Sequence, residues 1–123
     1  MYRDMIRNGY VSVEVAKLLM EKGLSYHCEY AWFNHSGQTA WHRRRFEQHE
    51  DFDNIVYCPY IWEADQMIQE KYGLYLVAFH TDKGWCGKIS FMSDSSLWHK
   101  LDGHYVTRED LYNDYIKYCL ENN

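Results

Sequence analysis

Cysteine and histidine are the side chains in this sequence that could carry a nucleophile or a metal. There are four cysteines, Cys28, Cys58, Cys86 and Cys119, and seven histidines. A nucleophilic thiol needs a base held beside it. Cys86 and His80 have the best claim, because they sit on the two arms of an expected hairpin in a register that sets them directly opposite. The plainer reading is that a free cysteine in a strand is a small buried hydrophobe. A metal site usually announces itself by ligand spacing. The sequence has no Cys-x-x-Cys, no His-x-x-x-His and no His-Glu-x-x-His. His35, His42 and His49 recur every seven residues and would share a face of a continuous helix, but Gly37 and Thr39-Ala40-Trp41 argue against one. Ligands could still converge from distant segments, for example His27, Cys28, His80 and Cys86 on adjacent strands. Ordinary surface or hydrogen-bonded histidines are the simpler account. With no Gly-x-Ser-x-Gly, Walker or dinucleotide fingerprint, nothing calls for a cofactor.

Arg43-Arg44-Arg45, flanked by Trp41, His42 and Phe46, is the only dense basic cluster. Basic residues interleaved with aromatics can grip a phosphate backbone and stack on bases. Glu47, Glu50, Asp51 and Asp53 follow at once and neutralise much of that field, so a solvated charged loop is the stronger reading. The aromatic surplus is the better clue. Trp85 at a hairpin tip, Trp41 on a strand and Trp98 in a polar loop exceed what a core needs at such positions. Exposed Trp and Tyr are favoured at interfaces, because one rigid side chain covers much area.

Composition bounds these options. At 123 residues the chain is one domain by size. Aromatics make up 18% of it, so a few large side chains supply much of the buried area. A formal net charge of −5 counts against a non-specific nucleic-acid or anionic-membrane binder. The first residues lack the apolar run of a signal peptide, and no stretch approaches the roughly 18 apolar residues of a spanning helix. The expectation is a cytoplasmic protein whose cysteines are free thiols, two or three of them buried.

The elements that must position these residues are read from period and caps. Residues 1–10 are a polar lead-in. Ser12 caps a helix over 13–22, with Val15, Leu18 and Leu19 as its buried stripe and Gly23 at its end. Two strands follow, 26–33 and 38–43, joined by Asn34-His35-Ser36-Gly37. Residues 44–54 read as a loop, and Ile55-Val56-Tyr57-Cys58 as a short extended segment before Pro59.

Next comes the unit around which the chain is organised. Ile61, Ala64, Ile68 and Tyr72 share one face of a helix, Glu63, Asp65, Gln66, Gln69 and Glu70 fill the rest, and Gly73 takes the left-handed position after it. Leu74–His80 is apolar at nearly every position, which suggests a strand covered on both sides or used in self-association. Gly84 is expected to form a bulge in a three-residue loop. That register puts Tyr75, Val77 and Phe79 on a core face with Phe91, Ile89 and Gly87. Residues 93–104 read as irregular. Thr107 caps the last helix, which carries the stripe Leu111, Tyr112, Tyr115, Ile116, Cys119 and Leu120. The order is α-β-β-α-β-β-α. The fold class is α+β, an antiparallel sheet of about four strands with helices packed mainly on one face.

Gly9-Tyr10-Val11-Ser12 before Val13-Glu14-Val15-Ala16-Lys17-Leu18-Leu19, Pro59 opening the middle helix, and the closing Tyr118-Cys119-Leu120-Glu121-Asn122 together resemble a group of short uncharacterised proteins. These are encoded in the chromosomes and prophages of gut bacteria. In that group a Thr or Ser tends to follow the proline, where this chain has Tyr60. The resemblance implies a small intracellular protein of mobile-element origin and brings no activity and no site. The functional expectation is a non-enzymatic domain that binds a protein partner or another copy of itself. The alternatives are a small hydrolase using Cys86 and His80 or a His/Cys-bound metal, and a nucleic-acid contact through Arg43–Arg45.

Overall fold

The helices form where caps and apolar stripes require them. The computed structural model describes residues 9–48 and 52–123. Most of the expected lead-in, and His49, Glu50 and Asp51 of the charged segment, lie outside those residues. Helix α1 spans Val13–Glu21, and the Ser12 hydroxyl caps it by accepting from the Val15 N–H at 3.2 Å. Helix α2 spans Ile61–Tyr72 and stops at Gly73, whose φ of 65° is left-handed. Tyr60 stands where a hydroxyl cap is usual, and the Glu63 carboxylate accepts from its N–H at 3.0 Å. That is the half of a capping box that needs no Ser or Thr. Helix α3 spans Arg108–Glu121, and all six residues of its expected stripe are buried.

Strands β1 (Tyr30–Asn34), β2 (His42–Arg45) and β3 (Asn54–Tyr57) form one antiparallel sheet in the order β2-β1-β3. A second sheet has the order β4-β5-β6, from Leu74–Thr81, Gly84–Phe91 and Trp98–Lys100. The α+β class and the element order stand. The single sheet of about four strands does not, because each expected hairpin gains a short third strand. β3 arises from the extended segment before Pro59, and β6 from the stretch read as irregular. Helices part the two sheets. α1 packs on β3, α3 packs on β4 and β5, and both α1 and α2 pack on α3. A shared helix layer replaces the one-sided cover expected of a single sheet.

The hairpin register also differs from expectation. Thr81 pairs with Gly84, Phe79 with Cys86 and Leu76 with Ile89, so the loop is Asp82-Lys83 and Gly84 stays in the ladder. Gly84 does take a positive φ, 128°, and no other residue type among those described does so. It cannot bulge, because β5 is tied on its other side. Trp85 and Tyr105 exchange two backbone bonds of 2.8 Å, and a Cβ on Gly84 would lie 2.8 Å from the Tyr105 carbonyl oxygen. A one-residue shift exchanges faces. Leu74, Leu76 and Ala78 therefore join Ile89 and Trp85 against the helices, and Tyr75, Val77 and Phe79 turn outward.

Two contacts lock α3 onto this layer. A Cβ on Gly87 would lie 2.8 Å from Leu76 Cδ1 and 3.0 Å from Leu111 Cδ1, so the helix rests on bare backbone there. Deeper in, the Tyr115 hydroxyl donates to Asp65 Oδ1 at 2.8 Å, with both residues buried. Asp65 belongs to the polar set of α2 by sequence, yet it is 3% exposed. Gly87→Ala should cost about 1–3 kcal/mol in urea unfolding, the usual range for overpacking. A change below about 0.5 kcal/mol would mean that the two leucines swing aside freely, and the locking role would be wrong.

Candidate functional site

Strand alternation decides the fate of the nucleophile pair. His80 faces Trp85, with ring centroids 4.9 Å apart, and lies on the helix side of its sheet. Cys86 faces Phe79 and points to the opposite side, so the proposed dyad does not exist. All four cysteines are free and buried, one or two more than expected. Burial, followed by the charge of Glu63, pushes the Cys28 thiol up to about 12. Burial and then Asp65 push Cys119 up to about 12 as well, and burial raises Cys58. Thiolate is the reactive form, and it is suppressed at these positions. His27 and Cys28 lie just before β1, on the other sheet from His80 and Cys86. Among the described residues no three His, Cys, Asp or Glu converge as a metal cluster.

The arginine run is a strand rather than a loop, and this splits it. Arg43 and Arg45 face one way from β2 and Arg44 the other. The Arg43 guanidinium lies 3.9 Å from the Tyr10 ring centroid and 4.0 Å from that of Tyr30, with Tyr60 at 6.0 Å. It rivets the approach to α1, strand β1 and the start of α2 together. Arg45 pairs with Glu29 at 2.7 Å, and Arg44 stands 5.8 Å from the Phe52 ring. No common basic surface results.

The tryptophans divide similarly. Trp41 is half-buried beneath Lys17, whose Nζ lies 4.7 Å from its ring, and Trp85 is half-buried beneath Arg108 at 4.6 Å. Trp98 is 55% exposed. It stands on the outer face of the second sheet, in a row with Tyr75 and Ser90. The next row holds Val77, Lys88 and Lys100. Ser90 and Cys86 are buried and small, so β5 forms a low floor between Tyr75 and Phe79 on one side and Trp98 on the other. Lys88 crosses this floor, its Nζ 5.4 Å from the Trp98 ring. Phe79 is 42% exposed. Sequence reasoning placed Tyr75, Val77 and Phe79 in the core. What turns them outward is the two-residue loop Asp82-Lys83, which sets Gly87 opposite Ala78 and Ile89 opposite Leu76.

A shallow open cleft of about 250 Å³ lies between α1 and α3, lined by Ser12, Glu14, Tyr105, Asn113, Asp114 and Lys117. Its polar groups are engaged with one another. Lys117 pairs with Glu14 at 2.7 Å, the Ser12 N–H donates to Asn113 Oδ1 at 2.7 Å, and the Tyr105 hydroxyl donates to Asp114. These bonds join α1 and the segment before it to α3 across the cleft. The chain matches no protein-family model, no curated protein and no solved structure.

Arg43→Lys keeps the charge but loses the flat stacking surface, so it should cost about 0.5–2 kcal/mol in urea unfolding. Arg44→Lys should change little by the same measurement, and equal losses would contradict the rivet. The raised Cys119 thiol gives a pH dependence with a definite sign. The folded state keeps a proton that the unfolded chain releases near pH ~9, so stability falls as pH rises from about 9 towards about 12. One such group contributes a slope of at most about 1.4 kcal/mol per pH unit. Cys119→Ala should flatten the denaturant-midpoint profile over that window, and an unchanged slope would show that other groups set it.

Proposed function

We propose that the chain is a binding module that engages a protein partner through the outer face of its second sheet. The observation that carries this reading is the row structure of that face, with Phe79 and Trp98 half-exposed across a floor of buried Cys86 and Ser90. Large, rigid rings standing proud of small residues are the arrangement that supplies most of the energy at protein interfaces. Met92 and Leu97, each about half exposed, add apolar surface just beyond the end of β5. Contiguous apolar surface of this kind marks interaction sites on folded domains. A protein partner is favoured over nucleic acid by the formal charge of −5 and by the engagement of the arginine run with tyrosines, Phe52 and Glu29.

A photo-crosslinking phenylalanine analogue at position 79 tests this in cells producing the chain. Irradiation should give a discrete protein adduct that survives nuclease treatment. An adduct removed by nuclease, or no adduct at all, would overturn the reading.

A further inference from the structure

The partner is the next question, and its answer rests on the binding reading above. We infer that the partner is a second copy of this chain, joined by antiparallel pairing of β4 with β4 across a two-fold axis. The two three-stranded sheets then become one of six strands.

The backbone of β4 states which groups are free. Trp85 exchanges both its bonds with Tyr105, the Gly87 carbonyl accepts from the Leu101 N–H at 3.0 Å, and the Phe91 N–H donates to the Leu97 carbonyl at 3.3 Å. Odd-numbered residues of β5 therefore point towards β6, and even-numbered ones towards β4. Their partners Tyr75, Val77, Phe79 and Thr81 point inward to β5. This leaves the N–H and C=O of Leu76, Ala78 and His80 directed away from the sheet. Among the described residues none bonds to them, whereas the Leu74 carbonyl accepts weakly from the Tyr115 hydroxyl at 3.5 Å.

Edges of this kind are normally guarded by charge, proline, bulges or brevity. The other three edges are guarded. β2 is His-Arg-Arg-Arg, β3 has four residues, and β6 has three, ending in Lys100. β4 has eight residues, an unbroken ladder and no Lys, Arg, Asp, Glu, Pro or Gly. Among the described residues it is the one edge built to be continued.

A copy of the same strand fits it. With Val77 on the axis, the outward groups of Leu76 and Ala78 meet those of Ala78 and Leu76 in the second copy. Val77 then lies against Val77, and Tyr75 against Phe79 of the second copy, all on the outer face. Pairs that exchange no backbone bonds bring side chains closest, and aromatic and β-branched residues pack best there. Leu76 meets Ala78 on the helix side. No two ionised groups oppose one another anywhere along the seam. A closed two-fold contact of this kind also ends growth at two copies. The half-exposed Phe79 ring becomes covered, which accounts for a wholly apolar outer row on an edge strand.

The test uses the full chain. Sedimentation equilibrium should show a dimer, and amide exchange at Leu76, Ala78 and His80 should slow as concentration rises. Val77→Glu can pair with Lys88 within its own chain but sets two carboxylates together on the axis, so it should weaken association at least tenfold with the circular dichroism unchanged. Ala78→Pro removes an N–H that serves no bond inside the chain and should do the same. If the proline variant fails to fold, Val77→Glu still decides. A chain that remains monomeric to about 1 mM overturns the inference. So does a dimer whose three amides exchange freely, or one that Val77→Glu leaves intact. Should the monomer's position-79 probe still capture a different protein, the second-copy inference falls while the binding reading stands. A monomer with no adduct removes both.

Discussion

The contact on which the rest of the structure turns is that of Leu111 with the bare backbone of Gly87. A helix can sit this close to a strand only where the strand has no side chain. That single vacancy fixes which face of β5 looks at α3, and the pairing of Thr81 with Gly84 then assigns the faces of β4. Leu74, Leu76 and Ala78 go under the helices. Tyr75, Val77 and Phe79 go out. The exposed aromatic face and the plain β4 edge both follow from where one helix rests.

Four cations among the described residues cap rings. Lys17 covers Trp41, Arg43 fills the space between Tyr10 and Tyr30, Arg108 covers Trp85 and Lys88 reaches over Trp98. Each such contact stabilises by about 0.5–1 kcal/mol where exposed, and more where water is excluded. The larger effect is on surface character. Long side chains lie across aromatic area that would otherwise be bare, and the Nε atoms of Arg43 and Arg108 are themselves buried there. The rings under Lys17, Arg43 and Arg108 help to join parts of the fold. Trp98, under Lys88, keeps more than half its surface. A cation over one edge of a ring that is otherwise open leaves it available to a partner.

Local rules made the helices legible and long-range contacts hid the sheets. Ile61–Tyr72 was readable to the residue, because its stripe, its glycine and its first turn lie within a dozen positions. The last helix was equally clear, with its whole stripe buried as the spacing requires. β3 and β6 are four and three residues long, too short to show a period, and each exists only because a hairpin edge was there to receive it. The register failed by one residue for a related reason. Gly84 was rightly expected to take a positive φ, but Tyr105, far along the chain, holds it in the ladder. The second strand was expected to end at Arg43 and instead runs on through Arg44 and Arg45, so that alternation divides the charges of the run. Asp65 looked like surface, and the hydroxyl of Tyr115, fifty residues on, is a partner that no local pattern foretells.

Folding uses one face of β4 and β5, and the proposed binding would use the other. The core cluster draws on the helix side of β4 and β5 and on the helices themselves. Cys86 and Ser90, buried on the other side, are small enough to keep the floor low without filling the space between the rims. Larger side chains at those two positions would raise the floor and level the face, with little to gain for the core beneath. Helix packing therefore sets the shape of the strands, and the strands present a surface that the monomer does not need. What remains unused inside the fold is concentrated on one sheet, along one edge, in residues that carry rings and methyl groups rather than charge.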